Sequence, residues 1–292
     1  MTLFPEPTCI WDLKAELGEG LVWMEREAAL YGVDILGRTV FRFHPESGAR
    51  TVWDAPARPT FLVPDADGHL LCGCADGLRT FNGATGVFGT LTPVESFLPE
   101  NRLNDACADR QGRLWFGSMH DPETEASGSL YRLDSRQGAE PVQMDTGYVV
   151  SNGPAIDPLR NRLYHNDSVR QTVFLFDLAE GGTLSNKRPF ARIETGYPDG
   201  MTVDRDGFLW VALYAGGGVQ RFAPDGTPDR FVRLPASNIT KIVFGGPDYR
   251  TAFVSSARKS LSAEALAAQP LAGGLFRFEV EVPGLPPCVF RA

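Results

Sequence analysis

The stretch DRQGRLWFG at residues 109–117 decides the fold, because it returns nearly unchanged as DRDGFLWVA at residues 204–212. Each copy joins an Asp/Gly turn to a run of β-forming residues, which is the pattern of a β-hairpin. Related copies read DADGHLLCG at 65–73 and DPLRNRLYH at 157–165, and looser ones read MEREAALYGVD at 24–34 and GPDYRTAFVS at 246–255. One hairpin signal therefore occurs six times along the chain.

The spacing of these copies identifies the repeat. The large apolar residue after each turn lies 40 to 49 residues from the next, in the series Tyr31, Leu71, Trp115, Tyr164, Trp210 and Phe253. This period is typical of a propeller blade of four strands, whereas a parallel β-helix, the competing repeat fold, has much shorter repeats. The sequence therefore predicts an all-β, six-bladed β-propeller.

A second strand signal follows each copy of the hairpin. These signals read VFRF at 40–43, LRTF at 78–81, LYRL at 130–133, VFLF at 173–176, VQRF at 219–222 and LFRF at 275–278. We expect CIWDL at 9–13 to form a strand that completes the last blade, and SLSAEALAAQ at 260–269 to form a short helix. Because the composition does not change along the chain, residues 1–292 are expected to form a single domain.

The composition argues against several classes of partner. The formal net charge is −8 and the chain has no basic run, so neither a nucleic acid nor an anionic membrane is an expected partner. No apolar stretch reaches the ~18 residues of a spanning helix, and the first residues do not resemble a secretory signal. We therefore expect a cytoplasmic protein, preferably monomeric, whose five cysteines are buried free thiols rather than disulfides or metal ligands.

The repeat also predicts which residues lie at the centre of the ring. The first strand of a propeller blade lines the central channel, and it should precede the apolar residue of the second strand by about 10–13 residues. Counting back 11 or 12 residues from each apolar residue gives Glu19, Thr60, Asn104, Asn152, Asp199 and Lys241. Most of these side chains carry oxygen, and the ring brings them to one cavity.

Two carboxylates and neutral amide oxygens at one point suit a hard or borderline divalent cation, and without it one carboxylate would stay protonated. Gly-Glu-Gly, Asn-Gly and Pro-Asp-Gly are also turn signals, and any one of them alone would be read as a turn. Because four such residues occur at one phase of an independent repeat, we favour a metal site.

At these residues the sequence resembles the family of senescence marker protein-30, gluconolactonase and regucalcin, over essentially the full chain. The resemblance is carried by LGEG at 17–20, RLNDA at 102–106, GRLWFGSM at 112–119, SNGPAID at 151–157, YPDGMTVD at 197–204, WVALYAGGGVQRF at 210–222 and FGGPD at 244–248. Within the family the chain is most similar to bacterial sugar-acid lactonases, including xylonolactonase.

The resemblance implies a central channel with one divalent cation (Ca, Zn, Mn or Fe(II)) bound by Glu19, Asn152 and Asp199. It implies that Arg102 and Asn104 contact the substrate and that Asp199 is the catalytic acid/base. Arg102 precedes Asn104 by two residues and so lies on the same face of an extended strand.

Some positions depart from the family pattern or stay open. Leu21 follows Gly-Glu-Gly, where relatives commonly have Pro, with little effect expected on Glu19. Relatives carry an acidic substrate contact shortly after GSM, but the register among Asp121, Glu123 and Glu125 is ambiguous. Lys241 either reaches a substrate hydroxyl or folds toward solvent. For His120, a solvated loop position is favoured over a role at the channel mouth.

The expected reaction is hydrolysis of a 1,4- or 1,5-sugar lactone to the open aldonic acid, with the lactone as the small-molecule partner. The cation would polarise the carbonyl, and Asp199 would take the proton of the attacking water. The sequence has neither G-x-S-x-G nor H-E-x-x-H. Two alternatives stay open: a non-enzymatic metal-binding sensor or calcium-handling protein, and a hydrolase acting on esters or organophosphates.

Overall fold

Six antiparallel sheets make up the structure, a computed structural model that describes residues 6–134 and 140–291. The first strands of neighbouring sheets contact each other in sequence order, and the first strand of the last sheet contacts that of the first. The sheets are therefore the blades of a closed ring, numbered here blades 1 to 6 in chain order. This arrangement confirms the predicted six-bladed β-propeller.

The first strand of every blade lies next to the axis and pairs with the second strand. The first strands span Gly18–Met24, Pro59–Pro64, Asn101–Ala108, Ser151–Asp157, Tyr197–Val203 and Ile239–Gly245. The second strands span Ala29–Asp34, Leu70–Cys74, Leu114–His120, Arg162–Asp167, Leu209–Tyr214 and Thr251–Ser256. The apolar residues used to align the repeats all lie on second strands, as predicted.

The third and fourth strands complete each blade toward its outer edge. The third strands span Thr39–Phe43, Gly77–Asn82, Gly128–Leu133, Thr172–Leu178, Gly218–Phe222 and Leu275–Glu279. The fourth strands of blades 1, 3, 4 and 5 span Arg50–Asp54, Val142–Tyr148, Leu184–Arg192 and Pro228–Arg233. In blade 2 the fourth position is divided between Val87–Phe88 and Thr92–Pro93, which both pair with the third strand.

Blade 6 is completed by the strand Thr8–Trp11, which pairs with Leu275–Glu279 and so confirms the expected closure. The α-helix Ala263–Ala268 lies within the predicted range, and Ser262 caps it by accepting a hydrogen bond from the Ala265 N–H at 3.2 Å. A 3₁₀ turn spans Glu25–Glu27. In the described part of the chain, no helix has the length and apolar character needed to cross a membrane.

The C-terminal residues cross the base of the ring, opposite the predicted site. Gly284 bridges to Asp204 after blade 5's first strand, and Phe290 bridges to Asp65 in blade 2. The Arg291 N–H then donates to the Gly112 carbonyl of blade 3 at 2.9 Å. We call residues 283–291 the C-terminal strap; it links opposite sides of the ring.

The repeated Asp explains why the hairpin motif recurs. Oδ1 of Asp204 accepts hydrogen bonds from the N–H groups of Asp206 and Phe208, at 3.1 and 3.0 Å, which closes the turn. Its Oδ2 accepts from the indole N–H of Trp210 at 2.9 Å and from Arg221 at 2.6 Å. The turn is thereby tied to the second and third strands. Equivalent side-chain bonds close the turns at Asp65, Asp109 and Asp157.

The five cysteines are free thiols, as expected, although Cys9, Cys107 and Cys288 are only partly buried. Cys72 and Cys74 point to the same face of their strand, with their sulfur atoms 3.9 Å apart. Their spacing along the strand therefore reflects packing in the core of blade 2.

Replacing Asp204 with Ala is expected to lower the free energy of unfolding by about 3 kcal/mol, because it leaves a buried indole N–H and two backbone N–H groups without their acceptor. Urea unfolding followed by circular dichroism measures the change. Asp225→Ala is the matched control, because Asp225 closes an exposed turn. Equal losses in the two variants would contradict this account of the repeat.

Candidate functional site

Every first strand carries a β-bulge at the predicted channel position. Blade 1 shifts register between Glu19 and Val22, with one more residue on the first strand than on the second. Corresponding shifts lie at Pro59/Phe61, Leu103/Ala106, Asn152/Ala155, Pro198/Met201 and Ile239/Lys241. A bulge bends the strand and re-aims its side chains, so it supplies a local reason why residues of this phase face the axis.

Glycine follows each predicted metal ligand because neighbouring first strands approach closely there. Gly20 has φ +57, and a Cβ at this position would lie 2.9 Å from the Phe61 Cα of blade 2. A Cβ at Gly200 would lie 2.9 Å from the Thr240 carbonyl oxygen of blade 6. Gly-Glu-Gly and Pro-Asp-Gly therefore lie inside strands, and the turn interpretation of these motifs is wrong.

Four of the predicted residues converge on a cavity of about 290 Å³ at one end of the channel. Its polar residues include Glu19, Asn104, Asn152, Ser168, Asp199 and Ser260, and its apolar residues include Leu17, Ile35, Val150, Val169, Tyr197 and Tyr214. Glu123 and Lys259 also line it and form an ion pair with each other. The site thus combines a floor of oxygen atoms with an apolar wall.

Burial is the main reason why the pKa values of both carboxyl groups of this floor are raised. Burial, followed by the negative charge of Asp105, raises the pKa of Glu19 to about 7. Burial and the charge of Glu19 raise the pKa of Asp199 well above its usual range, and the two carboxyls lie within hydrogen-bond reach of each other. A positive charge between them would relieve both effects.

Hydrogen bonds fix the orientation of the amide groups. The Asn152 Nδ2 donates to the Ser168 hydroxyl at 2.9 Å, which directs Oδ1 to the other side, where it accepts from Asn104 Nδ2 at 2.8 Å. Ser168 in turn donates to the Pro198 carbonyl at 2.6 Å, and Asn166 donates to the Asp199 carbonyl at 2.9 Å. Blades 3, 4 and 5 are therefore joined at the site.

Arg102 lies behind Asn104 and is absent from the residues that line the cavity. Its Nη1 donates to Asn104 Oδ1 at 2.5 Å and its Nε donates to Asp121 Oδ1 at 2.8 Å. Arg58 binds the other oxygen of Asp121 at 2.7 Å. Partial burial opposes ionisation of Asp121, but its bonds to Arg58 and Arg102 lower its pKa overall. In this structure Arg102 orients Asn104, and its predicted contact with substrate stays a prediction.

Neither expectation for Lys241 is correct. Its side chain is 5% exposed, and its Nζ donates to both carboxylate oxygens of Asp105, at 2.7 and 2.5 Å. The ammonium therefore neither reaches solvent nor lines the cavity, because a buried carboxylate on blade 3 attracts it. Thr60, the equivalent residue of blade 2, is also buried, and its hydroxyl has no hydrogen-bond partner among the described residues.

His120 is buried at the end of the second strand of blade 3, so the expectation of a solvated loop histidine is wrong. Its Nδ1 accepts hydrogen bonds from the N–H groups of Thr124 and Glu125, at 3.4 and 3.1 Å. The histidine thereby holds the loop that carries Asp121 and Glu123. Of the acidic residues left open by the sequence, Glu123 lines the cavity and Asp121 binds the two arginines.

Several residues of the site were not identified from the sequence. Ser168 and Asn166 belong to the run HNDS at 165–168, and four consecutive polar residues at the end of a buried strand were the available signal. Asp105 directly follows Asn104, so the alternation of a regular strand would have pointed it away from the axis. The bulge at Leu103/Ala106 is what brings it back.

Glu19, Asn152 and Asp199 fit a divalent cation by their chemistry. They supply two carboxyl groups and one amide oxygen, all buried, and the amide is oriented by Ser168. Among the described residues no three His, Cys, Asp or Glu side chains cluster as a metal site, so the amide oxygen is a necessary part of this donor set. Oxygen donors of this kind are preferred by hard cations.

Comparison with known proteins identifies the family of the chain. The profile of the SMP-30/gluconolactonase/LRE-like region matches residues 17–258, which include all six first strands. The chain belongs to this family. The resemblance inferred from the sequence motifs is thereby confirmed.

Individual members of the SMP-30/gluconolactonase family match along nearly the whole chain. The L-arabinolactonase of Azospirillum brasilense is 36% identical over 277 residues, covering 93% of this chain and 91% of the relative. The regucalcin of Gallus gallus is 34% identical over 297 residues, covering 97% of each. The solved structure of regucalcin, a calcium-binding protein from Agrobacterium tumefaciens, superposes with a TM-score of 0.93 at 27% identity, covering 99% of this chain and 98% of that one.

The substitution Glu19→Gln is expected to stabilise this protein at pH 8 when no metal is bound. Because folding raises the pKa of Glu19 from 4.5 to about 7, the folded state binds the proton more tightly, and stability is lost as the pH rises through this interval. The loss amounts to up to about 3 kcal/mol at pH 8 and is small at pH 5. Melting temperatures measured in chelator at both pH values should show the variant above wild type only at pH 8. A wild type at least as stable as the variant at pH 8 would contradict the raised pKa of Glu19.

Proposed function

We propose that this chain hydrolyses the lactone of a single sugar to the open aldonic acid, with one divalent cation held by Glu19, Asn152 and Asp199. The observation that carries the proposal is the pair of buried carboxyl groups beside an oriented amide oxygen, on the floor of an open cavity. The lactonases among the relatives support the reaction class. Ca, Zn, Mn and Fe(II) are all compatible with these donors.

The cation supplies Lewis-acid polarisation of the lactone carbonyl when it is bound. Asp199 accepts the proton of the water that attacks the carbonyl carbon. The ring C–O bond of the tetrahedral intermediate then breaks, and Asp199 delivers the proton to the leaving ring oxygen. The product is a hydroxy acid, so one lactone and one water are consumed.

Asn104 is the proposed contact for substrate hydroxyls on the cavity floor, and Arg102 is proposed to contact the substrate with its remaining N–H donors. The amide of Asn104 already uses both N–H groups, on the Ser151 carbonyl at 2.6 Å and on Asn152 at 2.8 Å. Its oxygen retains one lone pair as an acceptor. A substrate hydroxyl that donates to this oxygen is therefore the favoured contact.

The size and lining of the cavity favour a monosaccharide lactone. Small-molecule pockets commonly enclose ~300–1,000 Å³, and the 290 Å³ found here is at the lower end of that range. Tyr197, Tyr214 and Val169 form an apolar surface that suits the C–H face of a sugar ring. Pentono- and hexonolactones of either ring size are the proposed substrates.

A panel of 1,4- and 1,5-sugar lactones and one aryl ester, assayed with and without chelator, tests the proposal. Sugar lactones should be hydrolysed only with a divalent cation present, and the aryl ester should react much more slowly. Asp199→Asn is expected to reduce the rate constant kcat by about 10³-fold, because the variant has no base at the reacting water.

Asp206→Asn is the matched control for this loss, since Asp206 lies in an exposed turn of the same blade. Full turnover by Asp199→Asn in the presence of the cation would contradict the assigned role. Bound metal without turnover on any substrate would favour instead a calcium-handling binding protein, for which the regucalcin likeness is the supporting observation. Preference for the ester would favour a different hydrolase. Monomeric state, cytoplasmic location and a single domain stay predictions.

A further inference from the structure

A chain of hydrogen bonds runs from Arg102 through the floor of the candidate site to the carbonyl of Pro198. Nη1 of Arg102 donates to Asn104 Oδ1 at 2.5 Å, and Asn104 Nδ2 donates to Asn152 Oδ1 at 2.8 Å. Asn152 Nδ2 donates in turn to the hydroxyl of Ser168 at 2.9 Å, and this hydroxyl donates to the Pro198 carbonyl at 2.6 Å. Four bonds therefore connect blade 3 to blade 5 through blade 4.

The two ends of this chain fix the direction of every bond in it. A guanidinium group can only donate hydrogen bonds, and a peptide carbonyl oxygen can only accept them. Because Asn104 has to accept from Arg102 with its oxygen, it turns its N–H groups toward Asn152. Ser168 uses its single proton on the Pro198 carbonyl, so it can only accept from Asn152. The amide of Asn152 therefore has one orientation that satisfies both neighbours.

The guanidinium that starts the chain is anchored by Asp121. Nε of Arg102 donates to Asp121 Oδ1 at 2.8 Å. Arg58, the residue before the first strand of blade 2, donates to both oxygens of the same carboxylate, at 3.3 and 2.7 Å. Nη1 of Arg102 makes a further bond to the Leu103 carbonyl at 3.1 Å. Because the guanidinium is planar, bonds at Nε and Nη1 together fix the whole group.

The loop that carries Asp121 is itself held in place. The N–H of Asp121 donates to the Glu100 carbonyl at 2.9 Å, and the residues that follow are held by Nδ1 of His120, which accepts two hydrogen bonds from loop N–H groups. Asp121 is absent from the residues that line the cavity. Its carboxylate therefore acts on the site only through Arg102.

The chain decides which atom Asn152 offers to a cation. An amide that turns by about 180° exchanges its oxygen for N–H groups, which are donors only and bind no metal. In the observed orientation Oδ1 accepts one hydrogen bond, from Asn104, and retains a second lone pair for the cation. The rotated amide would face the N–H groups of Asn104 with its own N–H groups. It would also face the oxygen of Ser168 with its own oxygen, unless the hydroxyl gave up its bond to Pro198.

We propose that Asp121 is a remote positioning residue of the metal site, because it holds the guanidinium that starts the chain and thereby keeps the Asn152 oxygen turned toward the cation. Ser168 holds the same amide from the other end. This inference rests on the metal site of the proposed function and adds what sets the orientation of its neutral ligand. It also gives Asp121 a role without substrate contact, whereas Glu123 of the same loop lines the cavity.

The affinity of the full chain for Mn²⁺ alone tests the inference. Each form is freed of metal and titrated, and electron paramagnetic resonance counts the free ion. Asp121→Ala and Ser168→Ala should each raise the dissociation constant about tenfold, which is the usual effect of removing a group that orients a metal ligand. If Asp121→Ala does not fold, Asp121→Asn keeps the shape and removes the charge, with an expected rise of about threefold.

Two variants serve as matched controls for these losses. Ser168→Thr keeps the hydroxyl that accepts from Asn152. Asp177→Ala removes an ion pair with Arg188 between the outer strands of blade 4. Both should bind Mn²⁺ within about threefold of wild type, because neither breaks the chain. Circular dichroism confirms that each form is folded.

The double variant Asp121→Ala/Ser168→Ala separates one chain from two independent contacts. The two residues lie in different blades, and changes at separate sites ordinarily add, which would raise the dissociation constant about a hundredfold. Because the loss of either end already frees the same amide, the double variant should stay within about threefold of the weaker single variant. Additive losses would overturn the inference, and so would an unchanged affinity in folded Asp121→Ala.

Nuclear magnetic resonance follows the amide without any metal. The side-chain N–H signal of Asn152 is assigned by its loss in Asn152→Asp, and its rate of exchange with water is measured in the metal-free chain. Asp121→Ala should raise this rate about tenfold, and Asp177→Ala should leave it unchanged. A merely structural role of Asp121 would not reach this amide. An affinity that falls without a change in exchange would overturn the route through Asn152.

The outcomes also separate this inference from the proposed function. One ion in wild type with unchanged affinity and exchange in folded Asp121→Ala would overturn the inference and leave the metal site intact. No ion in wild type would overturn the metal site and the inference together. One ion without lactone turnover would overturn the proposed reaction, while the affinities and the exchange rates would still decide the role of Asp121.

Discussion

Six first strands have to pass around one axis at close range, and the rest of the structure depends on how they do so. Each strand carries one extra residue at its bulge, which bends it and turns a side chain inward. Where a predicted ligand points to the axis, glycine lets the next strand approach, as Gly20 does against Phe61. The course of the backbone therefore determines that polar groups converge at the axis, whichever side chains occupy these positions.

The convergence has an electrostatic cost. Burial and the charge of Asp105 raise the pKa of Glu19, and burial with the charges of Glu19 and Asp105 raises the pKa of Asp199. Lys241 offsets part of this repulsion from the opposite blade. The excess of negative charge that remains lies at the open end of the channel, where the proposed cation would bind. The buried charges that are unfavourable for the fold are thus the same charges that would bind the proposed cation.

Features that recur in every blade could be predicted from the sequence, whereas contacts that occur only once could not. The phase of the hairpins located Glu19, Asn152 and Asp199, because every blade uses the same turn and the same bulge. Contacts across the ring, such as that of Lys241 with Asp105, do not recur from blade to blade. The position of the Lys241 ammonium could therefore not be predicted from the spacing of the repeats. The burial of His120 also depends on a loop that returns over it, which no local pattern records.

The bulges have a consequence for how such proteins diverge and can be redesigned. Each blade contributes one inward position whose backbone is set by its own hairpin, although side chains such as that of Asn104 are also bonded to the next blade. Thr60 occupies one such position without a hydrogen-bond partner in the described structure. A new polar group introduced at Thr60 would reach the centre without breaking a hydrogen bond of the described structure, so this blade is where redesign of the centre can begin.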